Sequence, residues 1–472
     1  MIRTRFAPSP TGYMHIGNLR TALFEYLLAK SKGGVFILRI EDTDQSRFVE
    51  GAVETLTRTI EACGLIPDEG PGYGGENGPY IQSERRGMYD GYAESLVEAG
   101  KAYYCFCGAK AHDDQIGAKY DRRCLNLNES EIAERLASGV PRVVRQLIPE
   151  GKTTFADTVF GSITVDNDEL DDQILIKSDG LPTYNFANVI DVHLMRITHV
   201  VRGSEYLSST PKYNLLYEAL GWEIPVYIHL PLVLNENGEK LSKRRGDASF
   251  EELVSMGFLP EAVLNFIALL GWSPSDDREF FTLAELIESF DVKGLSKSPS
   301  VFDMTKLRWM NGEYIKRMPA EAFFELAKPE LERTIKSPGI DLRAISDMCH
   351  TRVNTVFEIE ELTAFIDGLP EYGVDLFTHK KSKSNKEIAL TALTASAPNL
   401  QGLAKWDNDS IFAALTELAE SLGLKKSQML WPIRTALSGA ITSPCGASEL
   451  CALLGKGETL RRIEIGIGKC GA

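Results

Sequence analysis

No stretch of this chain approaches the roughly 20 consecutive apolar residues that a membrane-spanning helix needs, and no apolar segment follows Met1-Ile2-Arg3 as a secretion signal requires. A cytosolic, membrane-free protein is expected. Cysteine is too sparse for a disulfide framework: eight residues spread over 472, without an export signal, read as reduced thiols. Surplus positive charge is missing as well. With 51 Lys and Arg against 66 Asp and Glu, the formal charge of −15 excludes a general nucleic-acid binder, whose surface would be basic throughout. Local basic tracts at Lys240 to Arg245, Lys380-Lys381-Ser382-Lys383 and Lys425-Lys426 still allow an RNA partner along one track of a repelling body. Internal repeats, low-complexity segments and any Ser/His/Asp or Cys/His constellation for nucleophilic catalysis are also missing.

What the chain does have is length, enough for about three domains, with the 43% hydrophobic and 25% charged content of a globular protein. Arg3 to Ala7 reads as a buried strand, and Ile16, Leu19, Leu23, Tyr26 and Leu27 recur at helical spacing until Gly33-Gly34. Val35 to Ile40 is a short apolar run that completes a βαβ unit, the front half of a Rossmann-like sheet. Polar groups gather at its ligand edge. Arg5 and Ser9 end the first strand, while His15 and Gly17 open the helix, whose N-terminal amides and dipole favour phosphate. Glu41-Asp42-Thr43-Asp44 follows the second strand, where Asp42 or Asp44 also suits a helix cap.

Short strands at Thr153 to Val159 and Ser162 to Val165 interrupt the alternation and mark an inserted α+β domain. The alternation resumes from Leu181 through a strand at Ile197 to Arg202, a helix at Pro211 to Leu220 and a strand at Ile228 to Leu234. Within the insertion, Cys105-Phe106-Cys107 and Cys124 suit tetrahedral Zn²⁺, which favours thiolates and stabilises a loop too small for its own core. Three reduced thiols are the other reading. Tyr120 or water is a candidate fourth ligand, and His112 a weaker one. Cys63, Cys349, Cys445, Cys451 and Cys470 have no paired spacing. After Ser249 the periodicity is helical. Ser410 to Leu422 puts Ile411, Phe412, Leu415, Leu418, Ala419 and Leu422 on one face, with Asp409 as N-cap and Gly423 as stop.

Arg5-Phe6-Ala7-Pro8-Ser9-Pro10-Thr11-Gly12 followed by His15-Ile16-Gly17-Asn18 resembles the opening of a bacterial-type glutamyl-tRNA synthetase, a class I enzyme with the "HIGH" motif. Far downstream, Glu239-Lys240-Leu241-Ser242-Lys243-Arg244-Arg245-Gly246-Asp247 is similar to the "KMSKS" loop of that class. The resemblance implies a Rossmann-like α/β catalytic domain at 1–84 and 185–250, split by an acceptor-binding insertion at 85–184. It further implies helical domains at 251–321, 322–379 and 380–472, the last two for the anticodon. Relatives with glutaminyl or archaeal architecture carry β-barrels there, so helices favour the bacterial glutamyl form. A nucleotidylyltransferase of the same superfamily would lack the helical half, and a decayed regulatory relative would lack His15 or Lys240.

The implied reaction has glutamate attack the α-phosphate of ATP, after which the adenylate acylates the terminal ribose of tRNA(Glu), with tRNA(Gln) as an alternative acceptor. Such chemistry rests on positioning and charge stabilisation. By resemblance, His15, Lys240 and Lys243 are catalytic, and Gly17 and Glu205 join His15 and Lys243 at ATP, which brings Mg²⁺. Arg5, Ala7, Ser9, Glu41, Tyr184, Asn188 and Arg202 match the glutamate-binding positions; Arg5 or Arg202 would face the side-chain carboxylate and Glu41 the ammonium. Arg47, closing an E-D-T-D-x-x-R pattern, and Arg352 are the expected tRNA contacts, and Cys105, Cys107, Tyr120 and Cys124 the expected zinc element. A monomer is expected.

Overall fold

The computed structural model describes residues 1–43, 49–107, 120–241 and 249–471. Arg47, Lys243, His112 and Asp44 lie outside the described residues. Two compact units emerge: Met1–Ser255 with Pro260–Met304, and Met256–Leu259 with Thr305–Ala472.

In the first unit, β1 (Arg3–Phe6), α1 (Ile16–Ser31) and β2 (Val35–Leu38) form the expected βαβ, with Arg3 opposite Val35 and Phe6 opposite Leu38 in parallel register. α1 buries Ile16, Leu19, Leu23 and Leu27 completely. α2 (Ala52–Ala62) and α3 (Tyr89–Glu98) lead to the insertion, whose β3 (Ala102–Cys105), α4 (Glu129–Ala137) and β4 (Val143–Gln146) precede β5 (Lys152–Asp157), β6 (Gly161–Asp166) and β7 (Ile174–Ile176). The chain then runs through α5 (Tyr184–Leu194), β8 (His199–Gly203), α6 (Thr210–Leu220), β9 (Val226–Leu230) and β10 (Val233–Leu234).

β3, β4 and β7 make an antiparallel sheet of the insertion itself. β5 and β6 do not belong to it. They extend the sheet that carries the site, in the order β6-β5-β9-β8, through Asp157 opposite Tyr227. β8 and β9 are parallel, with Arg202 opposite His229. Thr198 N donates to the Arg3 carbonyl at 3.0 Å and sets the start of β8 beside β1. The expected strand from Ile228 to Leu234 is broken in two, because Pro231 has no N–H for a ladder. Behind these strands Phe186, Val189, Ile190, Leu175 and Leu216 are fully buried and anchor the core, each side chain contributing about 1.5–3 kcal/mol over its exposed state.

α7 (Phe250–Ser255), α8 (Pro260–Ala268), α9 (Leu283–Ser289) and β11 (Ser300–Val301), which pairs with β10, complete the first unit. The stretch 251–321, expected as one helical domain, is thus divided near Met304. The second unit is helical, from α10 (Met304–Arg317), α11 (Ala320–Thr334), α12 (Leu342–Cys349) and α13 (Glu358–Thr363) to α14 (Lys386–Gln401), α15 (Asn408–Ser421), α16 (Lys426–Ser438) and α17 (Ala447–Gly471). Arg462, 1% exposed, donates to the carbonyls of Phe365 (2.8 Å) and Leu437 (2.6 Å). In α15 the cap is Asp407, which accepts from Ser410 N at 2.8 Å, not Asp409. The helix therefore starts earlier than expected, and its buried stripe is Ile411, Leu415 and Ala419, with Phe412 and Leu422 exposed. Gly423 stops it at φ +67° as expected. No helix among the described residues is long and apolar enough to cross a membrane.

Candidate active site

His15 caps α1 with extended backbone, and its Nδ1 accepts from Gly17 N at 3.0 Å. An amide can only donate, so the neutral ring carries its proton on Nε2. A Cβ on residue 17 would sit 3.2 Å from that Nδ1, which is why glycine suits the cap. The turn opens on a cavity of about 710 Å³. From the expected glutamate set it is lined by Arg5, Ala7, Ser9, Glu41, Tyr184 and Arg202, and from the expected ATP and catalytic set by His15, Gly17, Glu205 and Lys240. Asn188 is not on the wall. It stands behind it, its Oδ1 accepting from Arg5 Nη2 at 3.5 Å and Arg39 Nη2 at 3.3 Å.

Beneath the wall lies a buried charge network. Arg5 Nη1 pairs with Glu25 at 2.8 Å; burial pushes the Glu25 carboxyl up to about 8 against the pull of Arg5. Arg39 Nη2 holds Glu41 at 2.6 Å, and burial raises the Glu41 carboxyl while Arg39 opposes the rise. Asp191 on α5 accepts from Arg85 Nε (2.7 Å), Gln82 Nε2 (2.9 Å) and Tyr89 Oη (3.0 Å), with Arg39 Nη1 at 3.9 Å. Sequence reasoning missed Glu25, Arg39, Arg85 and Asp191. Their one visible signal is a charge set within an apolar run, as Arg39 is within Val35 to Ile40.

Arg202, 4% exposed, is held differently. Its Nε donates to His229 Nε2 at 3.1 Å and its Nη2 to Thr210 Oγ1 at 2.8 Å. The guanidinium lies over the rings of Tyr206, Tyr213 and Tyr227, at 5.3, 4.6 and 5.2 Å from their centroids. Among the described residues no carboxylate pairs with it, and Nη1 has no hydrogen-bond partner. Elsewhere on the wall, Lys240 Nζ pairs with Glu205 at 3.0 Å, and a Cβ at Gly203 would push the Glu205 carboxylate from this place. Arg20 donates to the carbonyls of Leu270 (2.9 Å) and Pro231; burial brings it down to about 10 against the pull of Glu205.

The cysteine element is a separate assembly. Cys105, Cys107 and Cys124 bring their Sγ atoms within 4.8 Å of one another, Cys107 and Cys124 at 3.3 Å. Tyr120 Oη lies 3.2 Å from Cys105 Sγ and 3.3 Å from Cys107 Sγ, so donor chemistry and spacing fit a thiophilic ion. Arg352 lies in the second unit, exposed between α12 and α13. There the structure also unites two basic tracts: Ser427 Oγ and Gln428 Nε2 at the start of α16 donate to the carbonyls of Ser382 (3.3 Å) and Lys383 (2.9 Å). Lys380, Lys381, Lys383, Lys425 and Lys426 are all exposed on this one surface.

Residues 1–309 match the family model of class I tRNA synthetases (E and Q), catalytic domain, and residues 322–467 that of an anticodon binding domain. The chain is 54% identical to a glutamate–tRNA ligase of Clostridium novyi and 55% identical to one of Clostridium botulinum, each match covering 99% of this chain and 98% of the relative. The crystal structure of a glutamate tRNA ligase from Elizabethkingia meningosepticum in complex with its amino acid superposes with a TM-score of 0.88 at 35% identity, covering 99% of both chains. One from Elizabethkingia anophelis gives a TM-score of 0.89 at 35% identity, again over 99% of both chains. A signature turn that caps its helix with histidine, a cavity floored by arginines and a helical second unit agree with both matches, and the chain belongs to the glutamate–tRNA ligase family of class I aminoacyl-tRNA synthetases.

Proposed function

We propose that the cavity of the first unit is where this ligase condenses L-glutamate with ATP and then acylates tRNA(Glu). The observation that carries the assignment is Arg202, a buried guanidinium without a carboxylate partner among the described residues, on the same wall as the His15 turn. A carboxylate ligand supplies the missing anion and takes the unpartnered Nη1. Glu41, held by Arg39, receives the ammonium group, and Tyr184, Ala7 and Ser9 close around the carbon chain. Arg5, braced by Glu25 and Asn188, adds a second cation at this end.

The attacking carboxylate needs no base, so the residues at the other reactant act on phosphate. His15 Nε2–H donates to charge developing at the α-phosphate. Lys240 exchanges Glu205 for the phosphates, Lys243 adds a further cation, and Gly17 leaves room for the nucleotide beside the helix start. Mg²⁺ arrives with ATP and neutralises part of the triphosphate charge. In the insertion, Cys105, Cys107, Cys124 and the Tyr120 phenol would hold one Zn²⁺, which ties β3 to the segment before α4 and takes no part in the reaction. Metal analysis of the purified protein is expected to give one zinc per chain, lost in Cys124→Ser.

Arg47 and Arg352 contact tRNA, the latter as an exposed reader of the third anticodon base, where Arg donates to one base edge and repels others. Charging of purified tRNA(Glu) and tRNA(Gln) with glutamate tests the reading. Acylation of tRNA(Glu) alone supports it. Equal acylation of both overturns the discriminating role of Arg352, and acylation of neither overturns the assignment of the cavity.

A further inference from the structure

One of the cations on the cavity wall is oriented by a pair of residues that stands outside the cavity. Arg202 and His229 are register partners on β8 and β9, so their side chains share a face of the sheet. Arg202 Nε–H can only donate, hence His229 Nε2, at 3.1 Å, must accept and carries no proton. The ring proton is therefore on Nδ1, which donates to Asp157 Oδ2 at 2.7 Å. The same oxygen takes His229 N at 3.1 Å, and Oδ1 takes Val159 N at 2.9 Å and Phe160 N at 2.7 Å. Asp157 and His229 side chains are both 0% exposed, and Asp157 closes the strand that joins the insertion to this sheet.

We infer that Asp157 and His229 are positioning residues for glutamate recognition, fixing one tautomer so that a neutral acceptor orients Arg202 and leaves its charge for the substrate. The inference rests on the assignment of Arg202 to glutamate. A carboxylate at position 229 would orient the guanidinium equally well but would neutralise it. A protonated imidazole would set two donors and two cations against each other. Burial and the nearby Arg202 both act to keep His229 below its ordinary value, against the opposing pull of Asp157. Thr210 Oγ1, which accepts from Arg202 Nη2 at 2.8 Å, fixes the second edge of the fork, so that Nη1 and the second Nη2 hydrogen are left for the ligand.

The test is aminoacylation of tRNA(Glu) by the full chain at saturating ATP and tRNA, with glutamate varied, for Arg202→Gln, His229→Leu, His229→Gln and His229→Asn. Gln places an amide oxygen near the position of Nε2, whereas Asn is too short to reach Arg202. The expectation is a KM for glutamate raised roughly 10-fold or more in His229→Leu and His229→Asn, the loss of one hydrogen bond to a charged donor, with kcat and the KM for ATP within about 3-fold of the parent. His229→Gln is expected to restore most of the glutamate KM. A His229→Leu or His229→Asn variant with unchanged glutamate KM, or a general fall in kcat with no rescue by Gln, overturns the inference. Should His229→Leu fail to fold, the contrast between Gln and Asn decides alone. If Arg202→Gln itself leaves the glutamate KM unchanged, the assignment of Arg202 fails first.

Discussion

Asp191→Asn isolates the buried network under the cavity. The carboxylate is 0% exposed and faces the Arg85 guanidinium at 2.7 Å and that of Arg39 at 3.9 Å, so the substitution leaves two buried cations short of one counter-charge. It also turns one accepting oxygen into a donor. Oδ1 takes Arg85 Nε and Tyr89 Oη, and Oδ2 takes Gln82 Nε2 at 2.9 Å, so whichever way the amide turns, two donors meet. Removing one partner of a buried ion pair costs about 3–5 kcal/mol, enough to shift the folding equilibrium by roughly 10²-fold to 10³-fold or more. Urea unfolding followed by near-ultraviolet circular dichroism measures it, and Arg39, freed from Asp191, should also loosen Glu41 and raise the KM for glutamate. A loss below about 1 kcal/mol would match the value of an exposed pair and refute the reading of this network as closed to solvent. The double variant Arg85→Met/Asp191→Leu, which removes both charges, should recover a large part of the loss, since paired removal is far milder than orphaning one partner.

His15→Ala should lower kcat by about 10²-fold to 10³-fold with little change in the KM for glutamate, as expected for a donor used in the transition state; a change confined to KM in steady-state charging would contradict that role. Exchange of Lys380, Lys381, Lys383, Lys425 and Lys426 for Ser should weaken tRNA binding and flatten the plot of log affinity against log salt by about 0.7–0.9 for each phosphate no longer neutralised, whereas an unchanged slope in filter binding would show that this surface never meets the tRNA. Hydrogen bonds from Arg461, then from Arg462, hold Glu458 down to about 2 against the effect of its partial burial. A depressed carboxyl stabilises the fold fully above its unfolded value and loses that contribution as pH falls through the folded one, so Glu458→Gln should be destabilising at neutral pH and cost progressively less between about pH 4.3 and pH 2. Acid titration of thermal stability reads this directly, and parallel curves for the two proteins would be the contrary result.

The parts of this molecule that are legible in sequence are those whose signal is local. The Rossmann opening can be read because strand, proline-bracketed turn, capping histidine and amphipathic helix occupy adjacent residues. The glycine stop of α15 is equally local, but its start is not, because Asp407 and Asp409 are both good caps and only packing of the following stripe chooses between them. Pro231 shows the cost of reading apolar character without backbone donors: Ile228 to Leu234 looks like one strand and is two. Pairings over long separations leave no local trace. Asp157 and His229 lie in segments that sequence assigns to different domains, and nothing short of the β5–β9 pairing brings them together. Glu25 on α1 is similarly silent, since a single acid on a mostly apolar helix reads as its wet face.

The buried arginines also differ in how their charge is met at the amino-acid end of the cavity. Arg5, Arg39 and Arg85 each touch a carboxylate, that of Glu25, Glu41 and Asp191, whereas Arg202 reaches the Asp157 carboxylate only through the neutral His229 ring. L-glutamate at neutral pH carries one net negative charge and L-glutamine none, so only the former sets a side-chain carboxylate directly against a guanidinium that lacks one. Rebuilding this pocket for a neutral amino acid is therefore a matter of the charge at Arg202 as much as of the shape of the wall.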